Sequence, residues 1–329
     1  MQNIIGIDIG GTKCAIILGR NIADNKSYFP DLSIMDKCVY KTETSRRPVY
    51  MLEKIQNGIE EILLRNNVVK QDISGIGISC GGPLDSKKGI ILSPPNLPGW
   101  DDIHIVEIFE NKLGIKTSLE NDANACALAE WKYGAAKGFS NVIFLTFGTG
   151  FGAGMILDGR LYSGTNGMAG EIGHVRLESF GPVGYGKCGS AEGFCSGGGI
   201  AQLAKTKVLE KLQMGEAVSF CSGMDQIGLI DAKLTGDAAE AGDELAAEIY
   251  GISGAYLGKA LSILIDILNP EIIVIGSIYA RSTALLRDSM MNVINSEAIK
   301  CSREACKIVP AGLGEKLGDY AALAIAAYA

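Results

Sequence analysis

The sequence predicts an α/β protein of two related halves, each built on a mixed sheet, and three observations carry that prediction. Strand-like apolar segments alternate with segments of helical spacing along the chain. Two stretches, residues 4–18 and 141–157, share one pattern of apolar strand, tight glycine turn and second apolar strand. The 329 residues also exceed what one hydrophobic core usually supports, so two domains are expected.

The repeat organises the rest. Laid together, Asp8 falls on Thr146 and Gly10 on Gly148, which is duplication at domain scale rather than a solenoid period. A hairpin opening each half makes both sheets mixed. Between the copies, Leu52, Ile55, Ile59, Ile62 and Leu63 give Met51 to Arg65 helical spacing. Gly75 to Ser79 reads as a short buried strand stopped by Gly81, Gly82 and Pro83. Ala123 to Gly134 is expected as a helix, with Asn121 and Asp122 placed to cap its start. Later helices are expected over Ile200 to Met214, Asp243 to Leu268 and Tyr320 to Ala329, with a strand over Ile272 to Ile275. Asn269 and Pro270 separate the long helix from that strand. Residues 24–47, polar and turn-rich, read as an enlarged connection before the first helix.

Composition narrows the function. Hydrophobic residues at 47% and charged residues at 20% exclude wholesale disorder. A net charge of −7 and the lack of any Lys/Arg run argue against a nucleic-acid partner. Nine cysteines, an odd number in strand and helix contexts, fit reduced cytoplasmic thiols better than a secreted disulfide framework. No basic stretch precedes an apolar core at the N-terminus, so no signal peptide is expected. The apolar region Leu257 to Tyr279 is broken by Lys259, Asp266, Asn269, Pro270 and Glu271, so no membrane partner is expected. The 43 glycines, about 13% against a typical share of roughly 7%, cluster in a few loops that can approach a ligand closely.

Those loops suit phosphate. A phosphate chain needs converging N–H donors with little side-chain obstruction, which Gly10, Gly11 and Thr12, and then Gly148, Thr149 and Gly150, can supply. Lys13 adds positive charge, and Asp8 could hold a hydrated Mg²⁺ beside the phosphates. Asp122 has two readings, a helix cap and a general base, which are compatible if Asn121 does the capping.

Asp8 to Lys13 is similar to the first phosphate signature of the ROK sugar kinases, members of the actin/hexokinase ATPase superfamily. Blocks resembling the family follow in order across nearly the whole chain: Gly81 to Pro83, Asn96 to Trp100, Glu120 to Ala125, Gly148 to Gly154 and Glu171 to His174. The resemblance implies two actin-like ATPase (ribonuclease H-like) domains with mixed sheets and a cleft between them. Residues 1–120 would form the smaller one, completed by the C-terminal helix at about 311–329, and residues 121–310 the larger. It also implies MgATP-dependent phosphorylation of a hexose at its 6-hydroxyl, with Asp122 as catalytic base. Gly82, Asn96, Asn121, Asp122, Glu171, His174 and Glu192 would face the sugar, and Gly276 the adenosine, where the usual run of glycines is reduced to Gly276 and Ser277. Glucose is the first choice, because Asn96 to Trp100 resembles the glucokinase version of that block. N-acetylmannosamine, N-acetylglucosamine, fructose and allose kinases share most of these residues. Family members are commonly dimers.

One block departs from the family. Many ROK proteins carry three cysteines that join the histidine on a structural zinc; aligned on Glu192, this chain has Val183, Tyr185 and Ser190 there. Cys188 and Cys195 lie nearby, but their spacing matches no standard zinc pattern, so no structural zinc is expected. Hydrogen bonds and aromatic packing through Tyr185 and Phe194 are expected to hold the loop instead. ROK repressors share the sugar-binding body but carry a DNA-binding segment ahead of the phosphate loop. Seven residues precede Asp8 here, so a sugar-responsive regulator is not the expected reading. A non-catalytic scaffold is disfavoured by Asp8, Lys13, Thr149 and Asp122 being in place.

Overall fold

A computed structural model describes residues 2–22 and 31–328. In chain order, β1 (Gln2–Ile9), β2 (Lys13–Ile22) and β3 (Asp31–Lys41) precede α1 (Pro48–Arg65) and β4 (Ile73–Cys80). A small ribbon follows, β5 (Leu84–Asp85) with β6 (Ile90–Ile91), then α2 (Ile105–Leu113), β7 (Thr117–Asn121) and α3 (Asp122–Tyr133). The second repeat opens with β8 (Val142–Leu145), β9 (Ala153–Leu157) and β10 (Arg160–Leu161), followed by the ribbon β11 (Val183–Gly184) and β12 (Lys187–Cys188). Helices α4 (Ala191–Phe194), α5 (Gly197–Gln213), α6 (Ala232–Glu240) and α7 (Glu244–Leu268) lead to β13 (Ile272–Ile275). The chain closes with α8 (Ile278–Arg281), α9 (Thr283–Glu297), α10 (Lys300–Ala305), β14 (Lys307–Pro310) and α11 (Leu317–Tyr328).

The two sheets repeat one plan. The first runs β3-β2-β1-β4-β7 and the second β10-β9-β8-β13-β14. In the first, β1 pairs antiparallel with β2 and parallel with β4; in the second, β13 is parallel to both β8 and β14. Contacts divide the chain into two units. One comprises Met1–Phe139, Gly154–Ala169 and Gly312–Ala329; the other comprises Ser140–Ala153 and Gly170–Ala311. Helix α3 therefore groups with the first sheet, unlike in the division at residue 120 expected from sequence.

In the first unit the sheet is covered on both faces, which explains why its strands lack clean polar alternation. Ile5, Ile7 and Ile9 pack with α1 and α2 residues such as Ile55, Ile59 and Phe109. Ile4, Ala15 and Ile17 face the opposite way, against Ala322 and Leu323 of α11. Each fully buried isoleucine contributes about 1.5–3 kcal/mol. Helix α11 lies so close to the sheet that a Cβ on Gly77 would meet the Ala322 carbonyl oxygen at 2.3 Å. Only glycine fits there.

The second unit is centred on α7, which packs chiefly on α9 and also on α5 and α6. By length and composition α7 could cross a membrane, but half of its apolar window is buried inside the protein, as in a core helix. Asn269, left-handed at φ 44°, ends it before β13.

Residues 24–47 require a correction. Positions 24–30 lie outside the described residues, but 31–41 form a strand, not a connection. Among the described residues β3 is the sheet edge, with no strand partner on one flank, and its charged residues Asp36, Lys37 and Lys41 stay accessible. That polarity disguised it.

Buried Glu130 fixes α3 to the C-terminal segment. Its carboxylate accepts hydrogen bonds from the backbone N–H groups of Ala135 (2.7 Å), Gly312 (3.1 Å) and Leu313 (3.0 Å). Glu130→Ala would leave three donors unsatisfied and is expected to destabilise the fold by about 3 kcal/mol or more. Urea unfolding measures this, and a loss below about 1 kcal/mol would contradict the anchoring role.

Candidate active site

The first glycine turn is tightened by a hydrogen bond from the Gly10 N–H to the Lys13 carbonyl (3.0 Å). Thr42, just beyond β3, supports it from outside: its N–H donates to the Thr12 carbonyl (3.0 Å) and its hydroxyl to the Gly10 carbonyl (2.6 Å). The turn also presses on the 94–100 segment, where a Cβ on Gly11 would meet the Asn96 carbonyl oxygen at 2.5 Å. Leu97 and Trp100, both 2% exposed, anchor that segment and leave Asn96 on the surface. Gly82, exposed, follows the end of β4.

Asp8 leaves β1 on the α11 side, with its carboxylate near the start of that helix; a Cβ on Gly318 would lie 3.6 Å from Asp8 Oδ2. Burial pushes the Asp8 carboxyl up to about 6. Lys13 opposes this, the Asp122 and Asp319 carboxylates add to it, and Lys37 opposes it weakly. Asp319 is itself ion-paired to Lys37 at 2.5 Å.

Asp122 is the first residue of α3. Capping falls to its neighbour: Asn121 Oδ1 accepts from the Asn124 N–H at 2.7 Å. Glu120 braces the pair by accepting from the Asn121 N–H (2.9 Å) and Asn124 Nδ2 (3.0 Å). Asp122 Oδ1 accepts from the adjacent Ala123 N–H (2.8 Å). The side chain reaches solvent, yet enough protein surrounds it that desolvation raises its pKa. Asp8, Lys13 and Asp122 are thus brought within electrostatic reach in one unit.

In the second unit the Gly148 N–H bonds the Gly150 carbonyl (3.1 Å), and Thr146, the counterpart of Asp8, receives the Gly152 N–H on its hydroxyl (2.9 Å). Thr149 is exposed at the tip. Glu192 Oε2 accepts from the Phe151 N–H at 3.1 Å, which joins α4 to this turn. Gly276 closes β13 beside it, its N–H on the Leu145 carbonyl (3.0 Å).

Glu171 and His174 flank a short 3-10 turn, Ile172–His174. Hydrogen bonds hold the following loop. Lys187 Nζ donates to the His174 carbonyl (2.7 Å), Arg176 to the Cys188 carbonyl (2.7 Å), and Gln202 both accepts from and donates to the Val183 backbone (2.9 Å each). Ser190 caps α4 by accepting from the Gly193 N–H (3.1 Å). Of the two expected aromatics, Phe194 is buried and stacks on Tyr256 with centroids 3.5 Å apart, whereas Tyr185 is exposed and touches the His174 ring edge-on at 6.2 Å. Among the described residues no group of three or more His, Cys, Asp or Glu side chains is arranged to hold a metal.

Several residues at or behind these turns escaped the sequence reading: Thr42, Glu120, Glu130 and Asp319. Thr42 sat in the misread connection, and the Glu130 and Asp319 contacts join positions remote in sequence. Only Glu120, inside a recognised block, left a local signal.

Two sheets of this order, each opened by a hairpin and a glycine turn, define the actin-like ATPase fold. The ROK family model matches residues 4–328, and the chain belongs to the ROK family. It is 32% identical over 274 residues to a glucokinase of Halalkalibacterium halodurans, covering 83% of this chain and 79% of that one. A ROK family glucokinase from Streptomyces griseus, solved in complex with glucose and AMPPNP, superposes with a TM-score of 0.76 at 26% identity, covering 99% of this chain and 100% of the other. A ROK family transcriptional regulator described as a homolog of the E. coli MLC protein superposes at 0.81 with 23% identity, covering 98% and 77%, a likeness of fold.

The raised Asp8 pKa has a consequence for stability. The folded state holds a proton on Asp8 up to about pH 6, whereas the unfolded chain releases it near the ordinary aspartate value of 3.8. Its favourable contribution is present below the unfolded value and is lost as pH rises through the folded one. Asp8→Asn removes that loss. In metal-free buffer the variant is expected to melt above wild type at about pH 7.5, with the gap closing near about pH 4. Thermal melts at both pH values measure it, and a gap independent of pH would contradict the burial assignment.

Proposed function

We propose that this chain is a sugar kinase that transfers the γ-phosphoryl group of MgATP to the 6-hydroxyl of an aldohexose, with glucose as the first candidate. The observation that carries the reading is the state of Asp122. It starts a rigid helix without having to cap it, its desolvated carboxylate has little hydrogen bonding to compete with, and its field reaches Asp8. A base of this kind aligns the attacking hydroxyl and accepts its proton as the new O–P bond forms and ADP departs.

The remaining residues take supporting roles in this reading. Gly10, Gly11, Thr12 and Lys13, with Gly148, Thr149 and Gly150, bind the phosphates, and Gly276 lies against the adenosine. Asp8 holds the Mg²⁺ of MgATP through water. Gly82, Asn96, Asn121, Glu171, His174 and Glu192 supply donors and acceptors for the sugar, as a polyhydroxyl ligand requires. The glucokinase relatives support glucose over N-acetylmannosamine, N-acetylglucosamine, fructose or allose. The protein would work in the cytoplasm, and its sugar-side loop would carry no zinc. A regulator reading draws on xylose repressors 27–29% identical to this chain and on a likeness of fold, and the intact Asp8, Lys13 and Asp122 favour the enzyme.

A coupled ADP-release assay over a panel of hexoses and N-acetylhexosamines tests the proposal; no sugar-stimulated ADP from any of them would sink it. Asp122→Asn is expected to lower kcat by about 10²–10⁴-fold while KM for the sugar stays within about twofold. Elemental analysis should find well under one zinc per chain, and about one equivalent would refute the zinc-free reading.

A further inference from the structure

The second unit holds a cavity that neither the sugar nor the nucleotide reading uses. It has a volume of about 350 Å³, within the range of small-molecule sites, and lies among α7, α9, α10 and β14. Ile265 of α7, Met290, Met291 and Ile294 of α9, and Ile308 of β14 give it apolar walls. Tyr279 of α8, only 1% exposed, lines the same space, and among the described residues its hydroxyl has no hydrogen-bond partner. A hydroxyl on so buried a side chain is ordinarily matched, so an unmatched one beside open space points to an acceptor that fills it. Arg287, also in the lining, is within electrostatic reach of Tyr279 and has no ion pair or hydrogen bond among the described residues. Arg303 adds a second cation and steadies the wall by donating to the Asn295 and Ala298 carbonyls. The one carboxylate in the lining, Glu304, is matched by Lys300 at 3.8 Å. Cys306 adds no negative charge, because burial pushes its thiol up to about 12 and keeps it protonated. The cavity therefore sets unused donors and positive charge against apolar walls.

We propose that this cavity binds a small organic acid, with its carboxylate on Tyr279 and Arg287 and a short apolar chain against the methionine and isoleucine walls. A carboxylate accepts from a hydroxyl and a guanidinium at once, and such charge-assisted bonds are among the stronger ones. A sugar would need donors and acceptors all round, and a bare phosphate would leave the apolar walls wet. None of the lining residues is among those given to the sugar, the phosphates or the adenosine, so this site stands or falls separately from the kinase reading.

Calorimetric titration of the full chain with sodium hexanoate, 1-hexanol and inorganic phosphate tests this. Hexanoate is expected to bind at about one equivalent with a Kd of about 1 mM or below. Hexanol and phosphate should each bind about tenfold more weakly or worse, since one lacks the charge and the other the chain. Arg287→Gln should weaken hexanoate about tenfold and Tyr279→Phe about threefold. Both variants should melt within about 2 °C of wild type, because an exposed side chain and an unmatched hydroxyl are all that is lost. The absence of saturable hexanoate binding would overturn the proposal. So would hexanol binding as tightly, which means apolar partition alone, or phosphate binding as tightly, which means a bare anion site. Wild-type hexanoate affinity in Arg287→Gln would place the ligand elsewhere and overturn it too. A clear fall in the melting temperature of Tyr279→Phe would show that the hydroxyl is already matched, with the same consequence.

Discussion

The Glu130 carboxylate is the interaction on which the first unit depends. A charge this deeply buried is tolerated only when hydrogen bonds replace its lost hydration, and three backbone N–H groups do so. Two of those donors, Gly312 and Leu313, stand just ahead of α11. The helix that begins with Asp122 is thereby joined to the segment that carries α11 onto the sheet. Once α11 is seated, the close approach at Gly77 leaves it little freedom, and Asp8 emerges near its start. One buried ion thus links the positions of two candidate site carboxylates.

Around the site, structure works against comfort. Asp8 and Asp122 are both desolvated enough to hold their protons more tightly than free carboxylates, and each raises the cost of ionising the other when both are charged. Ser277 is held in a glycine conformation, a strain of roughly 1–3 kcal/mol. Such features survive because the surrounding packing over-determines them: both sheet faces are covered in the first unit, and backbone bonds bracket Ser277 in the second. A cation bound at Asp8 would favour its ionised form and offset part of that cost.

The loop after His174 is held by contacts from several side chains. Val183 is held through its backbone by Gln202, and Ser190 caps a helix. Lys187 then fixes the His174 carbonyl directly. These bonds are individually modest and distributed, so several ordinary contacts act together on the loop.

What the sequence by itself determined was local and repeated. The two strand–turn–strand segments, the helix after Asn121, the capping role of Asn121 and the family blocks all depend on neighbours a few residues apart, where spacing and turn chemistry act directly. Tertiary structure decided the rest. β3 was illegible because an edge strand need not be apolar on its free side. Helix α3 joined the first unit because Glu130 finds donors some 180 residues away, a pairing that no local pattern encodes. Ser277 read only as a lost glycine until the fold set its hydroxyl beside Gly148. Asp122 could be named from its block, but only folding gave the cap to Asn121 and surrounded the carboxylate with enough protein to raise its pKa.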